Sequence, residues 1–252
     1  MEQGYTLITG ATSGIGLALA EKLARQQVKL ILVARRFDAL HAFQQKYPQC
    51  EIFQADLSQP NNPVQIYEFV KARGLVVERL INNAGVGLFG DFSETDLDKE
   101  LDMIQLNISS LVTLTKLFLP DMQARNCGEI INVSSVASFM PGPKMSVYYA
   151  TKAFVTSFTE ALVYELRHTN IQVRLLAPGP TATQFEKASQ LEDSKLFHRF
   201  KNQSADEVAQ ALLSSHKKIV IPGVLNKIAV FLARHLPQSW VATVVAKIQE
   251  NK

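Results

Sequence analysis

Short apolar runs alternate with helical patterns through most of this 252-residue sequence, and the alternation constrains the fold more than any other feature. The runs lack the strict polar–apolar alternation of a half-solvated strand, so we expect strands that are buried on both faces. A helix between successive strands implies parallel strands joined by right-handed crossovers. The expected fold is therefore α/β, with a doubly wound parallel sheet covered by helices on both faces.

The same pattern predicts the individual elements. The predicted strands cover 5–9, 29–34, 51–54, 80–82, 129–133 and 172–177, with a last strand beginning near 218. The predicted helices cover 15–27, 38–47, 64–73, 95–125, a segment ending near 168, 225–235 and 238–249. With 47% hydrophobic residues and no internal repeat or linker, residues 1–252 are expected to form a single domain.

Composition and charge exclude several classes of partner. A formal net charge of +3 is too small to suggest a nucleic-acid partner. The five histidines are dispersed and no pair has the spacing of zinc ligands, so we expect no metal site. Cys50 and Cys127 lie far apart without a C-x-x-C pattern, which indicates free thiols in a reducing compartment.

The sequence also gives no sign of membrane insertion or secretion. The apolar run from Leu7 is broken at Gly10 and Ser13, which is not the pattern of a signal peptide. No stretch approaches the ~18 consecutive apolar residues of a membrane span. We therefore expect a cytoplasmic protein without a transmembrane segment.

The junction of the first strand and the first helix carries T-G-A-T-S-G-I-G, residues 9–16. Its first glycine would allow a tight turn, its second would let the backbone approach a pyrophosphate, and its third would let helix and strand pack closely. The N–H groups and the positive dipole end of the helix favour phosphate. We predict a dinucleotide site here, in preference to a purely structural turn. The predicted contacts are Gly10, Thr12, Ser13, Gly14, Ile15 and Gly16.

The end of the second strand, L-V-A-R-R, bears on the choice of cofactor. Folds that prefer NAD usually place an acid there to hold the ribose hydroxyls, whereas an arginine accommodates the 2′-phosphate of NADP. Ala34 occupies the place of the acid, and Arg35 and Arg36 follow it. A guanidinium binds phosphate as a planar fork, so we expect NADP(H) to be preferred over NAD(H). The alternative is that both arginines are solvated charges opening the next helix.

A second group of residues surrounds the helix after the fifth predicted strand. Tyr148 and Lys152 are four residues apart, so they share one helix face. A cation beside a phenol lowers the phenol's pKa, which would let Tyr148 donate and accept a proton near neutral pH. Ser135 lies near the end of the preceding strand, where its hydroxyl could hold a carbonyl oxygen. Tyr149 also lies close to Lys152, but the four-residue spacing favours Tyr148.

Taken together, T-G-x-x-x-G-I-G and Y-x-x-x-K with an upstream serine resemble the signature of the short-chain dehydrogenase/reductase (SDR) family. The resemblance implies a Rossmann fold and an NADP(H)-dependent oxidoreductase that interconverts a ketone and a secondary alcohol. It implies that Ser135 holds the carbonyl oxygen, that Tyr148 transfers the proton, and that Lys152 stabilises the phenolate and binds the nicotinamide ribose. It also implies that Asn107 completes a catalytic tetrad, by distorting the long predicted helix and holding a water for proton relay.

Three further stretches match the family pattern. Asp56-Leu57 resembles the pair that borders the adenine, and Asn82-Asn83-Ala84-Gly85 resembles a mainly architectural N-N-A-G element beside the cofactor. Residues 178–183, P-G-P-T-A-T, resemble a motif that supplies a hydroxyl near the nicotinamide carboxamide. The cofactor contacts implied by the resemblance are Asp56, Leu57, Asn83, Ala84, Gly85, Tyr148, Lys152, Pro178, Gly179, Thr181 and Thr183.

The sequence constrains the substrate least. We expect a pocket lined by residues 139–145 and by the segment after Thr183, within a substrate loop or lid at 184–217. The apolar side chains of that segment favour a hydrophobic substrate, such as an aromatic, steroid-like or acyl compound, but they could equally be ordinary packing residues. These side chains are Phe185, Leu191, Phe197 and Phe200.

The C-terminal region, 223–252, departs from the compact family pattern, which ends near the last strand. Its two predicted helices are separated by Pro237 and are apolar enough for a subunit contact, a cover for the substrate pocket, or a weak membrane-surface contact. We expect a homodimer or tetramer, because family dimers often use the long helices flanking the active site. The alternative to an enzyme is a catalytically silent NAD(P)-binding sensor or scaffold, although both Tyr148 and Lys152 are present.

Overall fold

The computed structural model describes residues 4–185, 189 and 203–249. In this part of the chain, seven parallel strands form one sheet. They are β1 Tyr5–Thr9, β2 Leu30–Ala34, β3 Cys50–Gln54, β4 Val77–Asn82, β5 Gly128–Val133, β6 Ile171–Leu176 and β7 Ile219–Val220. Their order across the sheet, β3-β2-β1-β4-β5-β6-β7, confirms the doubly wound parallel fold expected from the sequence.

Helices cover both faces of the sheet. They are α1 Gly14–Arg25, α2 Phe37–Lys46, α3 Asn62–Ala72, α4 Leu97–Ile104, α5 Ser110–Arg125, α6 Ser146–Glu165, α7 Ala205–Leu213, α8 Val224–His235 and α9 Gln238–Gln249. A 3₁₀ turn, Val136–Phe139, follows β5. Thr181–Ala182 pairs with Gln203–Ser204 in a separate small ladder.

The sheet is buried because its strands send apolar side chains to both faces. All five residues of β2 are buried, as a central parallel strand requires. On one face, Leu19 and Leu23 of α1 pack with Leu212 of α7. On the other face, Leu114 and Phe118 of α5 pack with residues of α3 and α6. The core therefore forms two layers, one on each side of the sheet.

The strand order reverses between β1 and β4, which are neighbours in the sheet: β2 and β3 lie on one side of this pair, and β5 to β7 lie on the other. In doubly wound folds, ligands bind outside the carboxyl ends of the strands at such a point. Just there, Asn82 Nδ2 donates to Asn132 Oδ1 at 2.9 Å and to Thr115 Oγ1 at 3.1 Å. This buried link holds the ends of β4 and β5 together with α5 at the edge from which the site is built.

The helix predicted over 95–125 is present but interrupted. α4 begins after Asp96, whose side chain caps the helix by accepting a hydrogen bond from Lys99 N at 3.0 Å. Between α4 and α5, Gln105–Ser109 forms a π-helical turn with Asn107 at its centre. The structure thus shows the helix distortion that the family resemblance implied at Asn107. Such π-helical turns are frequent at functional sites.

The predicted lid at 184–217 is wrong over its last part. The chain from residue 205 forms α7, which begins with a capping box between Ser204 and Glu207. Val208 and Leu212 are completely buried in the cluster that α7 shares with α1. Because these side chains belong to the core, residues 205–213 form a packed helix and not the irregular loop that was expected there. The predicted pocket residues Leu191, Phe197 and Phe200 lie outside the described residues.

Three simple features of the described ranges bear on the expected environment. None of their helices combines the length and the apolar character needed to cross a bilayer. Those ranges contain no group of three or more His, Cys, Asp or Glu side chains placed to hold a metal ion. Both cysteines are free thiols; Cys127 is exposed, while burial raises the pKa of Cys50 to about 11.

Candidate active site

A cavity of about 760 Å³ lies at the carboxyl ends of the strands and collects residues from the loops after β1, β2, β3, β4, β5 and β6. Its wall contains nearly all the predicted site residues. They are Gly10, Thr12, Ser13, Gly14, Ile15, Arg35, Arg36, Asp56, Leu57, Asn83, Ala84, Gly85, Ser135, Tyr148, Lys152, Pro178, Gly179, Thr181 and Thr183. The two exceptions, Gly16 and Asn107, lie behind the wall and support it.

The loop between β1 and α1 requires glycine at two positions and excludes a side chain at a third. Gly10 and Gly14 have φ angles of +66° and +52°, which favour glycine. A Cβ atom at Gly16 would collide with Gly10 O and would lie 2.5 Å from Asn83 Nδ2. The loop can therefore bring bare backbone close to a pyrophosphate, as a dinucleotide site needs.

The first turn of α1 can accept an anion. Ser13 is the N-cap residue, yet its side chain makes no capping hydrogen bond to the helix. The first turn contains no acidic residue. The N–H groups of this turn and the helix dipole are thus available to phosphate oxygens.

Two arginines lie beyond the glycine loop at the end of β2. Arg35 and Arg36 are exposed and line the cavity, and Arg36 Nη2 donates to Thr12 O at 2.6 Å. Arg36 is also the N-cap residue of α2, where a cation gains nothing from the positive end of the helix dipole. The interpretation that both arginines only open the next helix does not account for the contact with the loop. Their charge and position fit a second phosphate.

Asn83 fastens the fourth strand to the glycine loop. Its Nδ2 donates to Thr9 O at 2.8 Å, and Thr9 Oγ1 accepts from the backbone N–H groups of Asn83 and Ala84 at 3.0 Å each. These contacts are the architectural role expected of the N-N-A-G element. Asp56 shapes the loop after β3 by accepting hydrogen bonds from Ser58 N and Ser58 Oγ, at 3.0 and 2.9 Å.

The segment after β6 passes beside the glycine loop. A Cβ atom at Gly14 would lie 3.1 Å from Thr183 Cγ2. Thr183 Oγ1 accepts a hydrogen bond from Phe185 N at 3.2 Å, so its proton is left to donate. Thr183 therefore lies between the proposed phosphate end of the cavity and the tyrosine at its other end.

Ser135, Tyr148 and Lys152 meet at that other end. Tyr148 and Lys152 lie on the same face of α6 and are more than nine-tenths buried. Lys152 Nζ lies 5.9 Å from the centre of the Tyr148 ring and donates to Val133 O at 3.0 Å. Ser135 Oγ accepts from Ala137 N at 3.1 Å and lies within hydrogen-bonding reach of the Tyr148 phenol. The convergence predicted from the sequence is therefore present.

Burial dominates the ionisation of this pair. It raises the pKa of Tyr148 to about 12, an effect that the hydrogen bond with Ser135 partly offsets. Burial also lowers the pKa of Lys152 to about 8. The lowered phenol pKa expected from the sequence is not seen. The loss of hydration that a phenolate suffers on burial outweighs its attraction to the neighbouring lysine. Tyr148 is therefore a protonated phenol at neutral pH.

Asn107 holds the wall behind Lys152. Its Oδ1 accepts from Val86 N at 3.0 Å, and its Nδ2 donates to Val86 O at 2.9 Å and Thr151 Oγ1 at 3.0 Å. A Cβ atom at Gly85 would lie 3.1 Å from both Asn107 Oδ1 and Lys152 Nζ. The glycine thus leaves the space in which the amide and the ammonium face each other.

The wall beyond Tyr148 is apolar. Met140 and Met145 line it, and the ring of Phe185 lies 5.4 Å from that of Tyr148. Phe139, which was predicted to line the pocket, instead packs in a neighbouring cluster, with the Arg234 guanidinium 4.6 Å from its ring. The predicted stretch 139–145 therefore contributes to the wall only in part.

The C-terminal helices complete the wall with residues that the sequence did not single out. Leu225 and Ala229 of α8 and Val245 and Ile248 of α9 line the cavity. Of the roles considered for this region, the structure shows a contribution to the pocket.

The neighbouring tyrosine is held by the end of α9. Gln249 Nε2 donates to the Tyr149 hydroxyl at 2.9 Å, and both side chains are buried. Burial raises the pKa of Tyr149 far above that of an exposed phenol. Since its hydroxyl is already engaged, Tyr149 belongs to the wall, whereas Tyr148 is the phenol beside Ser135.

This chain is similar to known oxidoreductases over most of its length. A family profile described as short chain dehydrogenase matches residues 5–194. The chain is 33% identical over 225 residues to a "Probable NADP-dependent dehydrogenase" of Haemophilus influenzae, covering 86% of this chain and 89% of that protein. It is 31% identical over 237 residues to the 17-beta-hydroxysteroid dehydrogenase type 3 of Mus musculus, covering 89% and 76%. Its fold matches that of a short chain dehydrogenase/reductase from Burkholderia phymatum in complex with NAD, with a TM-score of 0.82, 26% identity, and coverage of 92% and 94%.

The contact between α9 and the pocket wall can be tested by its energetics. We predict that Gln249→Leu lowers the free energy of unfolding by about 1–3 kcal/mol, because it leaves the buried Tyr149 hydroxyl without a partner. The cost should be smaller in a background that carries Tyr149→Phe. Denaturant titration of both single variants and the double variant gives the coupling energy. Tyr164→Phe removes a hydroxyl from an exposed tyrosine and serves as the control. Strictly additive losses would contradict the contact.

Proposed function

Because this chain belongs to the short-chain dehydrogenase family, we propose that it is an NADP(H)-dependent oxidoreductase that interconverts a hydrophobic ketone and a secondary alcohol. One observation carries the proposal. A single cavity has the glycine loop and two arginines at one end, and Ser135, Tyr148 and Lys152 at the other. The residues at the first end fit a dinucleotide phosphate, and those at the second end fit a carbonyl oxygen and a proton donor.

The chemistry can be followed in the reductive direction. A reduced nicotinamide bound in the cavity would supply hydride to the carbonyl carbon. The Ser135 hydroxyl donates a hydrogen bond to the carbonyl oxygen and orients it. Tyr148 gives the phenolic proton to that oxygen as negative charge develops there. Its raised pKa, about 12, keeps the proton on Tyr148 until the substrate oxygen becomes basic enough to take it.

Lys152 and Asn107 support that proton transfer. The Lys152 ammonium stabilises the phenolate that remains after donation, because the pair shares a buried site where charge interactions are strong. It would also bind the nicotinamide ribose. Asn107 positions this part of the wall through Val86 and Thr151. After Lys152 passes a proton to the Tyr148 phenolate, a water held near Asn107 would supply a proton to Lys152 and so restore both groups.

The preference for NADP(H) is supported by the two arginines and by the absence of an acid at position 34, where Ala34 stands. The related Haemophilus influenzae protein is named as NADP-dependent, whereas the Burkholderia phymatum structure holds NAD. The arginines favour NADP(H), because Ala34 stands where an acid would hold a 2′-hydroxyl.

The substrate class follows from the wall beyond Tyr148. Its methionines, Phe185 and the aliphatic residues of α8 and α9 favour an apolar body attached to the reacting carbonyl. One relative of the chain is named for hydroxysteroid substrates, which agrees with an apolar, ring-containing ketone. An acyl ketone would suit the same wall.

A dimer is proposed from a different surface. Leu97, Leu101 and Ile104 form an exposed apolar stripe along α4, and Phe154 is partly exposed on α6. Helices with such stripes flank the site and could pack against their copies about a twofold axis. Light scattering in solution tests the dimer, because a measured mass of 28.0 kDa, that of one chain, would contradict it.

The free thiols of Cys50 and Cys127 support a reducing, cytoplasmic environment.

The function is tested most directly on the two adjacent tyrosines. We predict that Tyr148→Phe lowers NADPH-dependent ketone reduction by about 10²–10⁴-fold or more, because the proton donor is lost. Tyr149→Phe should keep most of the activity. Both variants are assayed on a panel of aromatic, steroidal and acyl ketones by loss of reduced-nicotinamide absorbance, and NADPH binding is measured by fluorescence. The opposite ranking would assign the chemistry to the wrong phenol. Cofactor binding without turnover across the panel would favour a sensor or scaffold.

The cofactor preference is tested on Arg35. We predict that Arg35→Ala raises the KM for NADPH by about 10–100-fold, corresponding to loss of one charge-assisted hydrogen bond to phosphate, while the KM for NADH changes little. Arg73→Ala, at an exposed arginine far along the chain, is the matched control and should change neither value. Equal effects of Arg35→Ala on both cofactors would argue against a 2′-phosphate contact.

The lowered pKa of Lys152 predicts a pH dependence for the reductive reaction. The ammonium is present below about pH 8 and is lost above it, whereas Tyr148 keeps its proton up to about 12. At limiting NADPH, which reports the unliganded protein, the rate should fall with rising pH by about tenfold per unit above that value. Lys152→Arg, whose guanidinium stays charged, should show no such fall in its residual activity. A rate of the native protein that stays constant to high pH would contradict the role of the ammonium.

A further inference from the structure

The outer side of the two C-terminal helices carries a concentration of exposed apolar side chains. Leu225, Phe231 and Trp240 are 75%, 61% and 66% exposed. We define these and their exposed apolar neighbours on α8 and α9 as the C-terminal face. The C-terminal face consists of Val224, Leu225, Ile228, Phe231, Leu232, Trp240 and Val244.

Packing within the chain does not explain this face. The inner side of the helices is separate: Ala233, Val241 and Val245 are buried in the cluster that also contains Tyr148 and Tyr149. Along α8, the exposed residues Leu225, Ile228 and Leu232 follow the spacing of one helix side. Both helices therefore bury one apolar side in this cluster and expose a second apolar side to solvent, which reaches the rim of the cavity at Val224 and Leu225. A concentration of exposed apolar side chains in one segment of the chain indicates an interaction site.

The charges around the face are of one sign. Residues 224–249 contain Lys227, Arg234 and Lys247 and no Asp or Glu. Arg234 pairs with Glu160 of α6 at 3.2 Å. Lys227 precedes Phe231 by one helical turn, and Lys247 continues the stripe of Trp240 and Val244, so both lysines border the face. Their long stems can lie along an apolar phase while the ammonium groups reach its surface.

We propose that the C-terminal face docks reversibly on an anionic membrane surface. Apolar side chains with a tryptophan and bordering lysines are the composition of helices that lie in the plane of a lipid interface. The apolar residues would enter the boundary between headgroups and acyl chains, and the lysines would pair with anionic headgroups. The lipid headgroup supplies the charge complementary to a segment that has no acid of its own.

A second copy of this chain is a poorer occupant. A twofold interface places the same patch of each copy opposite itself. On the C-terminal face this would bring two basic segments together, because residues 224–249 contain no carboxylate that could pair with the lysines of the other copy. The apolar stripe of α4 has charges of both signs beside it, Asp98 and Lys99, so the same repulsion between copies does not arise there. The two apolar surfaces therefore suit different partners.

The position of the face adds a consequence that rests on the proposed function. Val224 and Leu225 belong to the face and also line the cavity, as does the neighbouring Ala229. The rim of the substrate pocket is thus continuous with the surface that would meet the lipid. A ketone dissolved in the bilayer could reach Tyr148 without crossing water, so the substrate class would be a membrane-partitioned ketone.

The docking test uses the full chain and vesicle co-sedimentation, with and without NADPH. The probes are vesicles of phosphatidylcholine alone and of phosphatidylcholine with phosphatidylserine, at low and at physiological salt. We expect binding to the anionic vesicles to be at least about tenfold tighter than to the neutral ones, and to weaken as salt rises. Equal binding to both vesicles, or binding to neither, would overturn the proposal.

Variants assign the binding to the face. Phe231→Ser with Trp240→Ser, and separately Lys227→Glu with Lys247→Glu, should each weaken anionic-vesicle binding by about tenfold or more. Phe92→Ser changes an equally exposed aromatic residue in the loop after β4 and should bind like the native chain. Thermal unfolding of each variant confirms that it is folded. Vesicle binding that survives in both double variants would overturn the assignment. It would also be overturned if the native chain bound no vesicles and the Phe231/Trp240 variant had a lower molar mass by light scattering, because the face would then be a contact between copies of the chain.

The docking proposal and the proposed function can fail separately. Vesicle binding is measured without turnover, so it stands even if no ketone is reduced. If ketones are reduced but the native chain ignores anionic vesicles, the docking proposal fails and the oxidoreductase remains. If both hold, anionic vesicles should raise the rate with a membrane-partitioned steroidal ketone several-fold, and should leave the rate with a small water-soluble ketone unchanged. Equal rates for the steroidal ketone with and without vesicles would contradict the inference that the substrate reaches the pocket from the membrane.

Discussion

The common direction of the seven strands of the main sheet is the constraint on which the site depends. Because all of them end at one edge, loops that are far apart in sequence converge there, and the helices that follow present their N-termini to the same space. The buried link from Asn82 to Asn132 and the contacts of Asn83 with Thr9 hold this edge together. A glycine loop from one crossover and a serine and a tyrosine from another can share one cavity only because the strands that carry them are parallel.

Desolvation then sets the chemistry inside that cavity. Burial disfavours charge on both partners, so it keeps the proton on Tyr148 and loosens the proton on Lys152. In this state the pair suits proton donation to a developing alkoxide, which is the need of carbonyl reduction. The elements packed around Tyr148 include α9, which also holds Tyr149 through Gln249. The C-terminal region therefore contributes to the burial of Tyr148 as well as to the shape of the pocket.

The sequence predicted the features that depend on local order: the strands, the glycine loop, and Tyr148 with Lys152 on one helix face. It predicted Asn107 only through the family resemblance, since an asparagine inside a helical pattern has no unique local meaning. It missed Gln249, the last residue of an apolar helix, which meets Tyr149 across 100 residues of chain. It misjudged residues 205–213 and Phe139, because apolar composition does not reveal whether a side chain faces a ligand or the core. The direction of the Tyr148 pKa shift was misjudged for a related reason. The four-residue spacing shows that Lys152 is near Tyr148, but it does not show how deeply either side chain is buried.

A comparison of α7 with α8 shows why the outer side of the C-terminal helices needs its own explanation. Both helices bury an apolar side, Val208 and Leu212 in one and Val230 and Ala233 in the other. The opposite side of α7 carries the exposed polar residues Asp206 and Gln210, as expected for a helix that meets water. The opposite side of α8 carries Ile228 and Phe231. Neither Ile228 nor Phe231 lines the cavity, so the pocket wall does not require them, and exposing them to water favours aggregation. Their presence is most simply explained by a phase other than water on that side, next to the rim of the substrate pocket.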